Sequence, residues 1–518
     1  MAQIRSEFWT EFMFFPSSAG PALPPRVRTF FWLSIVFLLL TVSRWMLAPR
    51  FLYYFDSINF ALSMDHFDPW HHQPQPPGYP LFVGALRVVG LAFRDPQHVL
   101  VATGLLIAFA ALLLSRRLSA EMFAPRAGVL TAALLLFNPP FWLSGVTNQV
   151  RLCLAMCSAG VALLAWRALQ RRESGVWLWL AFAALGLAAG FRPADCALLV
   201  PLLLWVWFST GASVSRLAIG IGCMIAAALP WMAVTAWAVG GVPRWIFLMW
   251  TYGRDQFRGT SLLFGAEAAP ALDMALKAVV WTGIGLIAWI WAIPFLRSRQ
   301  NEPGDRSRTL FLVAWILPPF VFSMLIHIGD PDQALTTIVG LCVVGGAVLH
   351  RLAERFRLTR AAPLALLAAA GSGVFFFVPL GTVAQASTWE VVRSTDERLQ
   401  TTFDAIRAVH GDRPAAIIHY GAEVTWRHIF YYFPSDYLLY LPKDAGELPM
   451  SFHQRKLVKE GPEATRLPQV RRVILVAPHL NGGWMAEHGW QVRGQVYWRD
   501  LSDNRPLSIG NWQIQRTM

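Results

Sequence analysis

The sequence predicts an all-α polytopic membrane domain of about eleven spanning helices, followed by a small α/β domain outside the membrane. Three observations predict it. Hydrophobic residues make up 55% of the 518 positions and charged residues only 14%, against roughly 25% charged in a soluble domain. Apolar stretches long enough to cross a bilayer recur along the first three quarters of the chain. Beyond about residue 385 the apolar runs shorten and charges of both signs mix in, the pattern of a soluble fold.

The spans come first. A spanning helix needs about 20 apolar residues, and eleven stretches qualify: 29–48, 98–115, 127–144, 149–166, 176–190, 194–208, 217–239, 276–296, 309–327, 335–350 and 361–381. The stretch Tyr79–Phe93 is apolar but short and interrupted by Arg87, so it reads as a helix lying in the membrane interface. The first apolar run starts late and lacks a small-residue cleavage site, unlike a secretory signal. All five cysteines (Cys153, Cys157, Cys196, Cys223, Cys342) fall in apolar runs, where the thiol packs as a small hydrophobe.

The formal charge is +13. In a soluble protein that invites a nucleic-acid reading, but its distribution excludes one. With the N-terminus in the cytoplasm, cytoplasmic segments carry 18 bases and 7 acids, the rest of the chain before residue 385 carries 10 of each, and the C-terminal region 16 bases and 14 acids. The excess follows the alternation of spans, as the positive-inside rule requires. It places the loops 49–97, 191–194, 240–275 and 328–334 outside, and with an odd number of spans the C-terminal region outside too. The organisation is therefore a membrane domain over 1–384 in a cytoplasmic (inner) membrane and an extracytoplasmic domain over 385–518. In the latter, strands are expected at 415–419, 437–441 and 473–477, with later ones near 495–501 and 511–515, and helices near 389–409 and 423–432. The aromatic-basic run Trp426–Tyr432 reads as a packing helix.

The candidate chemistry sits in the outer loops. Asp56 follows an aromatic run just beyond the first span, at the start of a short helical stretch over 57–66. Its position admits three roles: a helix N-cap, a metal ligand with His66, His71 or His72, or a general base. The loop continues through Asn59, His71, His72 and Gln75 into Pro76-Pro77-Gly78-Tyr79-Pro80, where prolines fix the backbone and return the chain to the membrane. A divalent cation near His66, His71, His72, Asp65 and Asp68 stays open, although the spacing matches no strong metal motif. Arg192 between two spans is either a functional cation or a side chain reaching the headgroups. Arg254 and Arg258 share a helical face, with Asp255 between them. His327 precedes Gly329-Asp330-Pro331-Asp332 at a membrane boundary and reads equally as a loop cap. Walker A, Rossmann and nucleophile-elbow sequences are absent from the C-terminal region.

An Asp soon after the first span, the Pro-Pro-Gly-Tyr-Pro-Leu return, Gly190-Phe191-Arg192-Pro193, Pro230-Trp231 and His327-Ile328-Gly329-Asp330-Pro331 together resemble the GT-C membrane glycosyltransferases. Within them the chain looks most like the protein O-mannosyltransferase and aminoarabinose-transferase branch. Gln75 stands where many relatives have His, and Ser57 follows Asp56 where several mannosyltransferases have Glu. The resemblance implies an inverting glycosyltransferase that takes a sugar from a polyprenyl-phosphate donor at the outer face and passes it to a lipid, glycan or protein acceptor. Asp56 would be the base. Arg192, Arg254 and Arg258 would hold the donor phosphate, and Asn59, His71, His72, Gln75, Tyr79 and His327 would line the substrate loop. One carboxylate suffices because a glycosyl phosphate carries its own leaving group, whereas glycosidases normally need two. Two other classes are carried alongside: a catalytically silent binder of lipid-linked saccharide, and a secondary transporter. The transporter expects charges inside spans and repeated helices; the predicted span interiors are nearly free of acids and no repeat is visible.

Overall fold

The computed structural model describes residues 25–258, 261–295, 305–358, 362–411, 415–421, 424–443, 448–467, 470–501 and 506–516. The N-terminal charges Arg5, Glu7 and Glu11, the loop bases Arg297 and Arg299, and the side chains of Asp195 and Cys196 lie outside the described residues. The chain separates into two compact units, one formed by residues 1–49 and 59–391, the other by residues 50–58 and 392–518.

In the first unit a helix occupies each of the eleven predicted stretches. Six are long and apolar enough to cross a membrane: Pro96–Met122, Gln149–Gln170, Val214–Ala238, Ala268–Phe295, Arg306–Leu325 and Pro331–Arg355. Four others are apolar and shorter (Phe30–Trp45, Val176–Phe191, Ala197–Thr210 and Pro363–Phe377). The expected span at 127–144 is a broken pair, Pro125–Leu136 and Pro139–Val146, bent by 56°. The break has a local cause. Asn138 caps the second piece by accepting from the Phe141 amide at 3.4 Å, and the Pro139-Pro140 pair withholds two backbone donors from the first.

The protein is thus a multi-pass membrane protein, and its outward faces agree. Phe208, Val214 and Trp237 are more than two-thirds exposed, a distribution suited to lipid. Inward, helices approach closely where the side chain is smallest. A Cβ on Gly346 would lie 2.6 Å from the Ala127 carbonyl, so only glycine lets helix Leu335–Arg355 meet helix Pro125–Leu136 there. Arg44, fully buried near the end of helix Pro25–Trp45, donates to the Leu136 carbonyl and stacks over Trp142 at 4.9 Å. This buried cation thus meets a backbone oxygen and a ring face.

The second unit is α/β. Its main sheet has the order β4-β3-β2-β1-β6-β8-β7, with β1 at Ala416–Tyr420, β2 at Tyr437–Leu441, β3 at Met450–His453, β4 at Lys456–Glu460, β6 at Arg472–Val476, β7 at Gln491–Arg493 and β8 at Val496–Asp500. β1 pairs in parallel with β2 and β6; the outer strands are antiparallel. The near-continuous apolar runs of β1, β2 and β6 mark central strands covered on both faces. The edge strand β4 is largely exposed and carries Lys456 and Lys459, which discourage edge pairing. A smaller sheet joins β5 (Arg466–Leu467), β10 (Trp512–Arg516) and β9 (Leu507–Ile509). Helix Trp389–His410 buries Leu399, Phe403, Ile406 and Val409.

Candidate active site

Asp56 lies in the segment that belongs to the second unit, and that unit pins the backbone leading to it. The Asp396 carboxylate accepts from the Arg50 amide at 2.9 Å and the Phe51 amide at 3.1 Å. Burial holds that carboxyl above its ordinary pKa, against the pull of the two amides. The Leu52 amide donates to the Tyr432 hydroxyl at 2.9 Å, and the Leu52 carbonyl lies 2.9 Å from His428 Nε2. A carbonyl only accepts, so Nε2 carries the proton and Nδ1 takes the Thr425 hydroxyl at 2.7 Å. Burial pushes the His428 pKa down to about 4, so the imidazole is neutral at physiological pH, as this tautomer requires. Phe51 meets Phe403 and Tyr432 edge-on. Arg427, itself 6% exposed, sits over the Phe55 ring at 5.2 Å and the Trp426 ring at 4.6 Å. Burial lowers its pKa to about 10, still a full cation at neutral pH.

Helix Phe55–Asp65 begins in that anchored segment. Its first intrahelical bond runs from the Ile58 amide to the Tyr54 carbonyl, which makes Tyr54 the capping position. Asp56 is therefore inside the first turn, partly exposed, where its charge complements the helix dipole. This differs from the N-cap role weighed from the sequence. Asn59, one turn on, is fully buried and donates to Gln75 Oε1 at 3.3 Å, tying the helix to the proline-rich return.

That return is locally determined. Asp68 accepts from the Trp70 and His71 amides, and its second oxygen lies 2.5 Å from His71 Nδ1 and 3.9 Å from His66. Asp68 and Gln73 exchange backbone hydrogen bonds. The Gln73-Pro74 and Pro76-Pro77 bonds are cis. Gly78 has φ +106°, and a Cβ there would meet Pro69 and Thr235, each at 3.0 Å, so the turn demands glycine. Tyr79, 8% exposed, stacks edge-on to Phe60 before helix Pro80–Val89. Arg87, the break in the apolar stretch, donates to the Ser63 and Met64 carbonyls at 3.0 Å and so satisfies the C-terminus of the preceding helix.

Helix Val242–Arg258, which the sequence did not delimit, draws these pieces together. Near its start the Arg244 guanidinium lies 3.8 Å over Trp70. Tyr252 meets His72 edge-on at 6.1 Å. Phe257 lies 6.2 Å from His327. Arg254 and Arg258 are exposed on the last turns, Arg254 with Asp255 at 3.3 Å. His327 is the focus of a charged corner. Burial first, then the positive charges of Arg151 and Arg192, hold its imidazole below its ordinary pKa, against Asp330. Arg151, almost buried, is 3.5 Å from Asp330 and 3.9 Å from the fully buried Asp332.

Within the first unit the positive charges of Arg151 and Arg192 act on His327, Tyr252 of the helix that carries Arg254 and Arg258 meets His72, and Asn59 pairs with Gln75. His71 is engaged as part of the Asp68 turn. Sequence reasoning misses Arg151, Arg244 and the Asp396–His428 anchor. A base inside an apolar run was the available signal for Arg151; Asp396, on an ordinary amphipathic helix, gave none. Among the described residues no group of three or more His, Cys, Asp or Glu is close enough to hold a metal ion. Asp68 with His71 and His66 works as a turn cap.

A multi-span unit joined to an α/β unit is a fold shared with a membrane transferase of known structure. The particular likeness is to ArnT from Cupriavidus metallidurans. Its structure bound to undecaprenyl phosphate matches with a TM-score of 0.62 at 15% identity, over 91% of this chain and 97% of that one. Its apo structure matches with 0.60 at 14% identity over the same shares. An oligosaccharyltransferase from Archaeoglobus fulgidus in the apo form gives 0.42 at 13% identity, over 78% of this chain and 63% of that one. No protein-family model and no curated protein matches the sequence.

Proposed function

We propose that this chain is a membrane glycosyltransferase that moves a sugar from a polyprenyl-phosphate donor to an acceptor hydroxyl at the outer face of the inner membrane. The observation that carries this reading is the fold. A protein aligned over 91% of this chain was captured with undecaprenyl phosphate, the carrier half of such a donor. The local chemistry supports it. Asp56 stands partly exposed in the first turn of its helix, and the positive charge of Arg192 acts on His327 beside the Arg151–Asp330 pair.

In the reaction, Asp56 takes the proton of the acceptor hydroxyl while that oxygen attacks the anomeric carbon. The bond from that carbon to the phosphate oxygen breaks, and the phosphate leaves with the electron pair. Arg192, with Arg254 and Arg258, offsets the charge that develops on it. Attack opposite the phosphate inverts the anomeric centre. Asn59, Gln75 and Tyr79 shape the loop, and His71, His72 and His327 border it. The acceptor is a lipid, a glycan or a protein.

The test is transfer from radiolabelled polyprenyl-phosphate sugar by the purified full chain in lipid. Loss of a general base costs about 10²–10⁴-fold, so Asp56→Asn is expected to lose at least a hundredfold in turnover with its melting curve unchanged. Transfer by Asp56→Asn within twofold of wild type removes Asp56 as the base. No transfer by wild type from any such donor, with donor still bound, identifies a binder and not an enzyme.

A further inference from the structure

A cavity of about 440 Å³ lies in the first unit, among helices Pro25–Trp45, Pro96–Met122, Pro125–Leu136 and Ala362–Phe377. That size is within the range of about 300–1,000 Å³ common to small-molecule sites. Its floor is apolar and buried, with Leu112 and Leu136 1% and 6% exposed; at its rim Leu39 and Leu366 are 49% and 70% exposed. The cavity therefore opens sideways, toward the face that meets lipid. Of the described residues that line it, Arg116 alone is charged. Trp32 stands on the same wall, a residue type that anchors at the headgroup level.

Position separates this cavity from the catalytic loop. Arg116 lies 20 residues along the helix that starts at Pro96, a rise of roughly 30 Å. The loop 59–95 joins that helix at its start, so Arg116 is at the far end. A donor phosphate that reacts beside the loop cannot also sit on Arg116. An aliphatic slot with one cation at its headgroup end instead fits an amphiphile with an anionic head.

We infer that this cavity is a structural binding site for an anionic glycerophospholipid of the opposite leaflet. One acyl chain fills the slot, the second lies along the exposed rim, and the phosphate meets Arg116. The site is independent of the proposed transfer reaction.

The experiment is native mass spectrometry of the delipidated full chain titrated with phosphatidylglycerol or phosphatidylcholine. Wild type is expected to retain one phosphatidylglycerol in preference to phosphatidylcholine. Arg116→Gln is expected to weaken that retention about fivefold, the worth of one cation against an anionic lipid head, and to lose the preference. Ala133→Phe, which fills the slot, is expected to lose both lipids. Arg116→Gln should keep sugar transfer within twofold of wild type, and Asp56→Asn should keep the lipid, so failure here and failure of the enzyme reading are separable. Equal retention of phosphatidylglycerol by wild type and Arg116→Gln overturns the inference. So does displacement of the lipid by equimolar undecaprenyl phosphate, which would make the slot a carrier site.

Discussion

Removing Asp332 should unsettle the corner that holds His327. Asp332 is fully buried, and one of its carboxylate oxygens lies 3.9 Å from the Nε of Arg151. Arg151 keeps a second carboxylate, Asp330, at 3.5 Å, but that side chain is 32% exposed. Asp332→Ala therefore takes from the buried Arg151 cation its buried carboxylate, while the Asp330 carboxylate beside it is partly solvated. Breaking a buried pair from one side costs roughly 3–5 kcal/mol. The remaining Asp330 contact places this case at the low end, about 3 kcal/mol. The cost comes from the stranded charge and not from lost attraction, so replacing both partners, Arg151→Met with Asp332→Leu, should recover most of it. Equilibrium unfolding in mixed micelles, followed by tryptophan fluorescence, measures Asp332→Ala together with the cycle of Arg151→Met, Asp332→Leu and their double. The cycle should return a coupling above about 1 kcal/mol. The reasoning is refuted if Asp332→Ala is within about 0.5 kcal/mol of wild type, or if the double variant is no more stable than Asp332→Ala alone.

Other outcomes follow from the same geometry. Gly78→Ala forces a side chain into φ +106° against Pro69 and Thr235; backbone strain of this kind costs about 1–3 kcal/mol, and the reshaped return should lower transfer while leaving the spanning helices intact by circular dichroism. The folded chain keeps His428 neutral down to about pH 4, whereas the unfolded chain protonates it near pH 6.5. Between those values the unfolded state binds more protons, so the stability contributed by His428 is complete above about pH 6.5 and drains away as pH falls toward 4. Melting temperature measured from pH 7 to 4 should fall more steeply for wild type than for His428→Gln; parallel curves would mean His428 is not held neutral.

The hydrophobic pattern by itself determined most of the architecture. Spans are legible because each is a long local run whose burial in lipid needs no distant partner. The same holds for β1, β2 and β6, whose apolar runs mark central strands. The edge strands β4 and β7, and β3 beside β4, escaped because short strands that carry polar residues owe their pairing to a neighbour already in place. Helix Val242–Arg258 escaped because Arg244, Arg254 and Arg258 break up its apolar run, and its partners are distant in sequence: Trp70 under Arg244, and Phe322 and His327 against Phe257. The Asp56 loop drew attention through its composition, but composition did not say what holds it. Asp396, Tyr432 and His428 reach it across more than 340 residues of sequence, and Arg151 meets Asp330 and Asp332 across about 180. Local hydrophobicity fixes which segments leave water. Which polar groups then satisfy one another depends on the tertiary packing, because a buried charge has no low-energy state until its partner has been folded against it.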